Sequence, residues 1–237
     1  MKPYAAALFA LALVACHRSV PSSPEHLIER AHDTMGTELR ITAWTADDAR
    51  ADTAASAVFH EFDRLDAMMS VWKNDSDIVR LNAAAGEGAV PVSAETREVL
   101  HIARQISEQT EGTFDITFGA LSGLWKFDYQ DKDNSIPDRK AIEDRLRFVN
   151  YRDVVVDDGA GTAMLRRKGM RVNLGGIGKG YAVDRAVDIM RRSGLRDFMI
   201  QAGGDMYVAG TRGDRPWRLG IRDPRGPADR IFAALDL

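Results

Sequence analysis

The chain has 237 residues, 45% of them hydrophobic and 28% charged, with a formal net charge of −3. That length allows one domain, or at most two, with a substantial core, and the composition is that of an ordinary globular protein. The mild acidic balance, with no dense basic cluster, gives no reason to expect a nucleic-acid partner. The five histidines, His17, His26, His32, His60 and His101, are scattered without an H-E-x-x-H pattern or Cys/His pairing, so no zinc site is expected.

At the N-terminus, Lys2 precedes an apolar run over residues 4–15, the layout of a secretory signal and too short for a stable membrane-spanning helix. The run ends Leu13-Val14-Ala15-Cys16, which resembles a bacterial lipobox. Residues 1–15 are therefore read as a lipoprotein signal peptide and Cys16 as the lipidation site. The bland alternative is a plain signal peptide with a chance cysteine. Cys16 is the sole cysteine, so no disulfides are expected. A single lipid would then anchor the protein in the bacterial cell envelope, facing the periplasm. Residues 16–33, rich in Ser, Pro and charge, read as a tether, and 34–237 as one domain.

Along that domain, Thr45 with Asp48 reads as a helix N-cap and acidic partner. The helix that follows carries Ala51, Ala55, Val58, Phe62, Leu65 and Met69 on one face and ends near Ser70. Ser93 caps a second helix with Val99, Ala103 and Ile106 facing inward and Gly112 as its stop. A third begins at Pro137, with Ile142 and Leu146 on its expected buried side. Val154-Val155-Val156, the turn Asp157-Asp158-Gly159 and residues 162–165 read as a hairpin. A further helix, with Ala182, Val183, Ala186, Val187 and Met190 on one face, stops at Gly194. Strand-like runs follow at 198–202, 206–208, 217–221 and 231–237. Strands and helices interleave without strict alternation, so the class is α+β, with a mixed or antiparallel sheet and packed helices. The final run reads as a strand with no turn or polar tail after it, and the chain is expected to be truncated at its C-terminus.

The most informative stretch is Asn173-Leu174-Gly175-Gly176-Ile177-Gly178-Lys179-Gly180-Tyr181-Ala182-Val183-Asp184. A glycine-rich turn opening a helix presents N–H groups and the positive end of the helix dipole, which suits a phosphate, and Lys179 adds a full charge there. A tight strand-to-helix turn with a surface lysine is the plainer alternative. The spacing is not that of a P-loop, because Asn173 stands where the first Gly should be and Gly180 where Ser or Thr should be. Nor is it a Rossmann fingerprint, since Tyr181 replaces the third Gly. Other local groups are Met35-Gly36-Thr37, which begins the first strand-like segment, and Ser70-Val71-Trp72 past the first helix. Gly112-Thr113-Phe114-Asp115 lies past the second, with residues 121–125 after it. Gly203-Gly204-Asp205 and Gly220-Ile221-Arg222-Asp223-Pro224 come later. Each alone reads equally well as core or turn.

In this order and spacing they resemble the FAD:protein FMN transferase family (ApbE, the flavin transferases), over nearly all of the chain from Met35 to Pro224. The resemblance implies an enzyme that binds FAD and, with Mg2+, moves its FMN half onto a Ser or Thr hydroxyl of a target protein, releasing AMP. It implies FAD contacts at Met35, Trp72, Thr113, Phe114, Asp115, Asn173 and Lys179, and a metal contact from the Gly176 backbone carbonyl. Asn173 departs from members with Asp at that place. The remaining metal ligands, an Asp and a Thr, are expected beyond Leu237, so these 237 residues alone are expected to transfer little FMN. The catalytic group is not assigned beyond a possible electrostatic role for Lys179. The implied acceptor is a respiratory or reductase flavoprotein subunit. Two other readings stay open: a periplasmic FAD-binding lipoprotein without catalysis, and a Mg2+-dependent FAD pyrophosphatase.

Overall fold

The computed structural model of the chain describes residues 24–125, 135–227 and 230–237. Cys16, the signal segment and the first part of the tether lie outside the described residues. The elements run β1 (His26–Thr34), β2 (Thr37–Thr45), α1 (Asp48–Met69), α2 (Asp77–Ala83), β3 (Val90–Pro91) and α3 (Ala94–Gln109). Then come α4 (Arg139–Leu146), β4 (Val154–Asp157), β5 (Thr162–Leu165), α5 (Gly178–Arg192), β6 (Phe198–Ala202), β7 (Asp205–Ala209), β8 (Arg218–Arg222) and β9 (Ile231–Asp236). The strands make a four-stranded sheet β1-β2-β6-β7, a three-stranded sheet β3-β5-β4 and the hairpin β8-β9. Every ladder is antiparallel, so the molecule is α+β as expected.

The core forms where α1 and α5 cover one face of the large sheet. Period-2 alternation puts Leu39, Ile41 and Ala43 of β2 on that face, and the register sets them opposite Ala202, Ile200 and Phe198 of β6. All six are buried. Against them pack Val58, Phe62 and Leu65 of α1 and Ala182, Ala186 and Met190 of α5, at the helical spacing read from the sequence. Phe62, with 0% exposure, anchors this layer, and truncating such a ring to Ala costs about 3–5 kcal/mol.

Four expectations need correction. The tether does not extend to residue 33, because His26–Thr34 is strand β1, paired along its whole length with β2. Its few apolar residues hid it. Ile28 is buried, while ion pairs from His26, Arg30 and His32 to Asp48, Asp52 and Asp63 fasten the strand to α1. Met35-Gly36 is the turn between β1 and β2, not the start of a strand. The cap of α1 is Asp47, whose carboxylate accepts from the Arg50 N–H, while Thr45 Oγ1 accepts from the Asp47 N–H. Finally, α4 buries none of its residues: Leu146 is 48% exposed, so its apolar spacing does not mark a core face.

Candidate functional site

Three chain segments build the walls of a cleft of about 800 Å³. The first is the β1–β2 hairpin tip. Met35 and Gly36 both have positive φ, 49° and 71°, as a two-residue type I′ turn demands. Glycine adopts this freely, but methionine does so at a cost on the order of 1 kcal/mol. The result is a half-buried thioether set in the cleft wall and packed on the core.

The second wall is the end of α1 and the turn after it. Ser70 caps the helix: its backbone carbonyl accepts from Ser76 Oγ at 2.7 Å and its hydroxyl from the Trp72 N–H at 3.2 Å. The chain is thereby turned so that Trp72 stands on the rim with 90% of its surface exposed. An indole so exposed beside a cleft is a flat, polarisable surface on which a ring can stack. Lys73 follows, 3.4 Å from Asp66.

The third wall is the glycine turn. The segment leading to it is held on both sides. Asn82 of α2 donates from Nδ2 to the Val172 carbonyl at 2.9 Å and accepts the Val172 N–H on Oδ1 at 2.7 Å, copying a neighbouring strand. The Asn173 N–H donates to the Ile116 carbonyl at 2.9 Å. Asn173 Oδ1 then accepts from the Gly175 N–H at 2.8 Å, an Asx turn that an aspartate would make equally well. The Leu174 carbonyl accepts from the N–H groups of Ile177 and Gly178, and α5 begins. Ile177 provides no side-chain cap, and Gly178 and Lys179 of the first turn line the cleft. Gly178 lines the cleft, and a Cβ there would meet only Leu174 Cβ at 4.0 Å. Internal packing therefore does not require glycine at this place. Lys179 completes the wall, 30% exposed, with Nζ 3.9 Å from Asp205 Oδ2.

Of the residues singled out from the sequence, Met35, Trp72, Asn173 and Lys179 converge on the cleft. The Thr113-Phe114-Asp115 element is placed behind it. Phe114 backs the glycine turn, its Cε2 lying 3.3 Å from where a Cβ on Gly176 would stand. The Asp115 carboxylate is taken up by the fold: it accepts from the Thr117 N–H and hydroxyl at 2.8 and 2.6 Å and from the Tyr151 N–H at 2.8 Å. Thr113 is exposed. Sequence reasoning missed Asp33, Glu38, Asp63, Asp66 and Lys73, which also line the cleft. They sit on ordinary strand, helix and turn positions with no motif to mark them. Burial pushes the Asp63 carboxyl up, but hydrogen bonding and charge from His32, with Nε2 at 2.9 Å, outweigh it and leave the group below its ordinary value.

For a metal, the Gly176 carbonyl belongs to the glycine turn, but among the described residues no group of three or more His, Cys, Asp or Glu side chains could hold an ion. Mg2+ takes a near-octahedral oxygen shell. The described residues do not fit one.

The antiparallel α+β fold, with a cleft bounded by a glycine turn that opens a helix, defines the structural class of the protein, and comparison with known proteins gives its family. The chain belongs to the ApbE family, whose model matches residues 35–237. A FAD:protein FMN transferase of Klebsiella pneumoniae (strain 342) is 30% identical over 207 residues, covering 86% of this chain and 59% of its own length. One of Escherichia coli (strain K12) is 26% identical over 239 residues, covering 98% and 67%. The crystal structure of the ApbE protein of Thermotoga maritima superposes with a TM-score of 0.79 at 31% identity, over 90% of this chain and 68% of that one. The flavin transferase ApbE of Vibrio cholerae gives 0.76 at 25% identity, over 85% and 65%. The chain thus spans about six-tenths of the length of the first curated relatives it matches.

Proposed function

We propose that the cleft binds FAD and that the protein transfers the FMN half of FAD to a Ser or Thr hydroxyl of an acceptor flavoprotein, releasing AMP. The observation that carries this is the convergence, on one cleft, of a helix N-terminus without a side-chain cap, Lys179, the exposed indole of Trp72 and the half-buried thioether of Met35. The first pair suits the pyrophosphate; the second suits the ring systems. The names of the relatives point the same way.

In this reading the chain's own residues bind and orient. Trp72 stacks a ring at the rim, Met35 supports the flat ligand from the hairpin, and Gly178 lets the pyrophosphate approach the backbone. Lys179 leaves Asp205 for the phosphate oxygens and offsets the charge that develops as the P–O–P link breaks. The acceptor hydroxyl oxygen forms the new P–O bond and AMP departs. A respiratory or reductase subunit as acceptor, and a lipid anchor at Cys16 holding the protein at the periplasmic face of the envelope, complete the proposal.

The test is incubation of the purified chain, alone and joined to the C-terminal segment of an ApbE relative, with FAD, Mg2+ and an acceptor protein. The products are read as covalent flavin fluorescence in a denaturing gel and as nucleotides by chromatography. Labelled acceptor with matching AMP carries the reading. FMN and AMP free in solution would make the protein a pyrophosphatase, and FAD recovered intact from a tight complex would make it a flavin-holding module.

A further inference from the structure

The first turn of α5 carries Lys179, yet little in its composition fixes it. Two of its four residues are glycines, Ile177 gives no cap, and a Cβ on Gly180 would meet nothing within 4 Å. Two positions along a helix correspond to about 200° of rotation, so Lys179 and Tyr181 leave it from opposite sides. Lys179 faces the cleft, whereas Tyr181 is 8% exposed and points into the core, its hydroxyl donating to Glu98 Oε2 of α3 at 2.7 Å. One helical turn deeper, a separate ladder ties the same helices: Glu95 to Arg64 at 2.9 Å, Arg64 to Glu61 at 2.9 Å and Glu61 to Arg185 at 3.3 Å. That ladder holds the body of α5. The tyrosine bond lies beside this ladder and is made by a residue of the first turn.

We propose that Tyr181 is a positioning residue for the glycine turn, its bond to Glu98 holding the first turn of α5 where it presents Lys179 to the cleft. The inference rests on the FAD-binding reading of that cleft. Neither Tyr181 nor Glu98 is among the described residues that line it, so both act through the turn. Burial and the Glu98 carboxylate push the Tyr181 hydroxyl well above its ordinary value, which keeps it a donor at any pH the protein meets.

The experiment compares Tyr181→Phe, Glu98→Ala, Glu98→Gln and the Tyr181→Phe/Glu98→Ala double variant with the wild type. It measures FAD affinity by titration and amide hydrogen exchange of the ligand-free proteins. Tyr181→Phe and Glu98→Ala should each weaken FAD binding about tenfold. The double variant should be no worse than either, and Glu98→Gln, which still accepts, should stay within about twofold of wild type. Exchange should quicken at Gly178 and Tyr181, whose amides bond the Leu174 and Ile177 carbonyls at the start of the helix, and not in the body of α5. Wild-type exchange in Tyr181→Phe, or additive effects in the double variant, would overturn the proposal. So would protection lost along the whole of α5, which would make the bond a general fold contact. Exchange is read without ligand. A wild type that does not bind FAD, with the turn still loosened by Tyr181→Phe, would therefore count against the FAD reading and not against the tether.

Discussion

Lys179 and Gly178 separate two reasons for a glycine-rich turn. A substitution at Gly176 would press on Phe114 at 3.3 Å, so it perturbs packing and ligand approach together. At Gly178 an added methyl finds only ordinary contact at 4.0 Å, and alanine is the better helix former. Gly178→Ala should therefore leave the melting temperature unchanged or slightly raised while FAD affinity falls, because the methyl occupies space that the ligand needs. Calorimetric titration beside a thermal melt checks this, and unchanged affinity would reduce the turn to a structural corner. Lys179→Ala removes one partly exposed charge already shared with Asp205, so the expected loss is about 1 kcal/mol, or roughly fivefold in affinity. A larger loss would mean that the lysine is desolvated by the ligand.

At the scale of elements, the clasp between α2 and α3 sets the wall that holds the glycine turn, because α2 also carries Asn82. Asp77 accepts from the Ser93 N–H at 2.8 Å and the Thr96 hydroxyl at 2.6 Å, and pairs with Arg80. Burial pushes its carboxyl up, but the hydrogen bonds from Ser93, Thr96 and Arg80 prevail and hold it below its ordinary range. A carboxylate depressed in the folded state contributes stability that is fully present above about pH 4, the unfolded value, and is lost as pH falls through the folded value. Asp77→Ala should cost about 2–3 kcal/mol by stranding the Ser93 and Thr96 donors. In a domain of this size that is roughly 5–10 °C in melting temperature, and the deficit should shrink in melts taken well below pH 4. A deficit independent of pH would assign the loss to packing instead. The elements that escaped the sequence reading failed for local reasons. β1 has too few apolar residues to alternate visibly, α2 is too short for helical periodicity to show, and the spacing of α4 describes a face on which no residue is fully buried. The long helices α1, α3 and α5 were legible because their buried faces repeat over several turns.

For the whole molecule, the sequence named four residues that the fold gathers into one cleft from three separate places in the chain, Met35, Trp72, and Asn173 with Lys179. It could not show how the cleft is assembled. The Asn82–Val172 clasp joins residues 90 apart, and no local pattern announces it. Asp115 illustrates the converse, since a motif carboxylate can be wholly engaged in holding a turn. The proposed envelope location has its own check: mass spectrometry of the mature N-terminus from a bacterial host should find an acylated Cys16 directly after cleavage at Ala15. A free thiol there, or a start further along, would contradict it. The central claim is that the cleft takes a dinucleotide, rings and pyrophosphate together, and the most direct measurement is calorimetric titration of the purified chain with FAD, FMN and AMP in parallel. The account predicts a single site that binds FAD at least about tenfold more tightly than either half, because only FAD reaches Trp72, the glycine turn and Lys179 at once. No heat with FAD, or FAD binding no tighter than FMN, would contradict it.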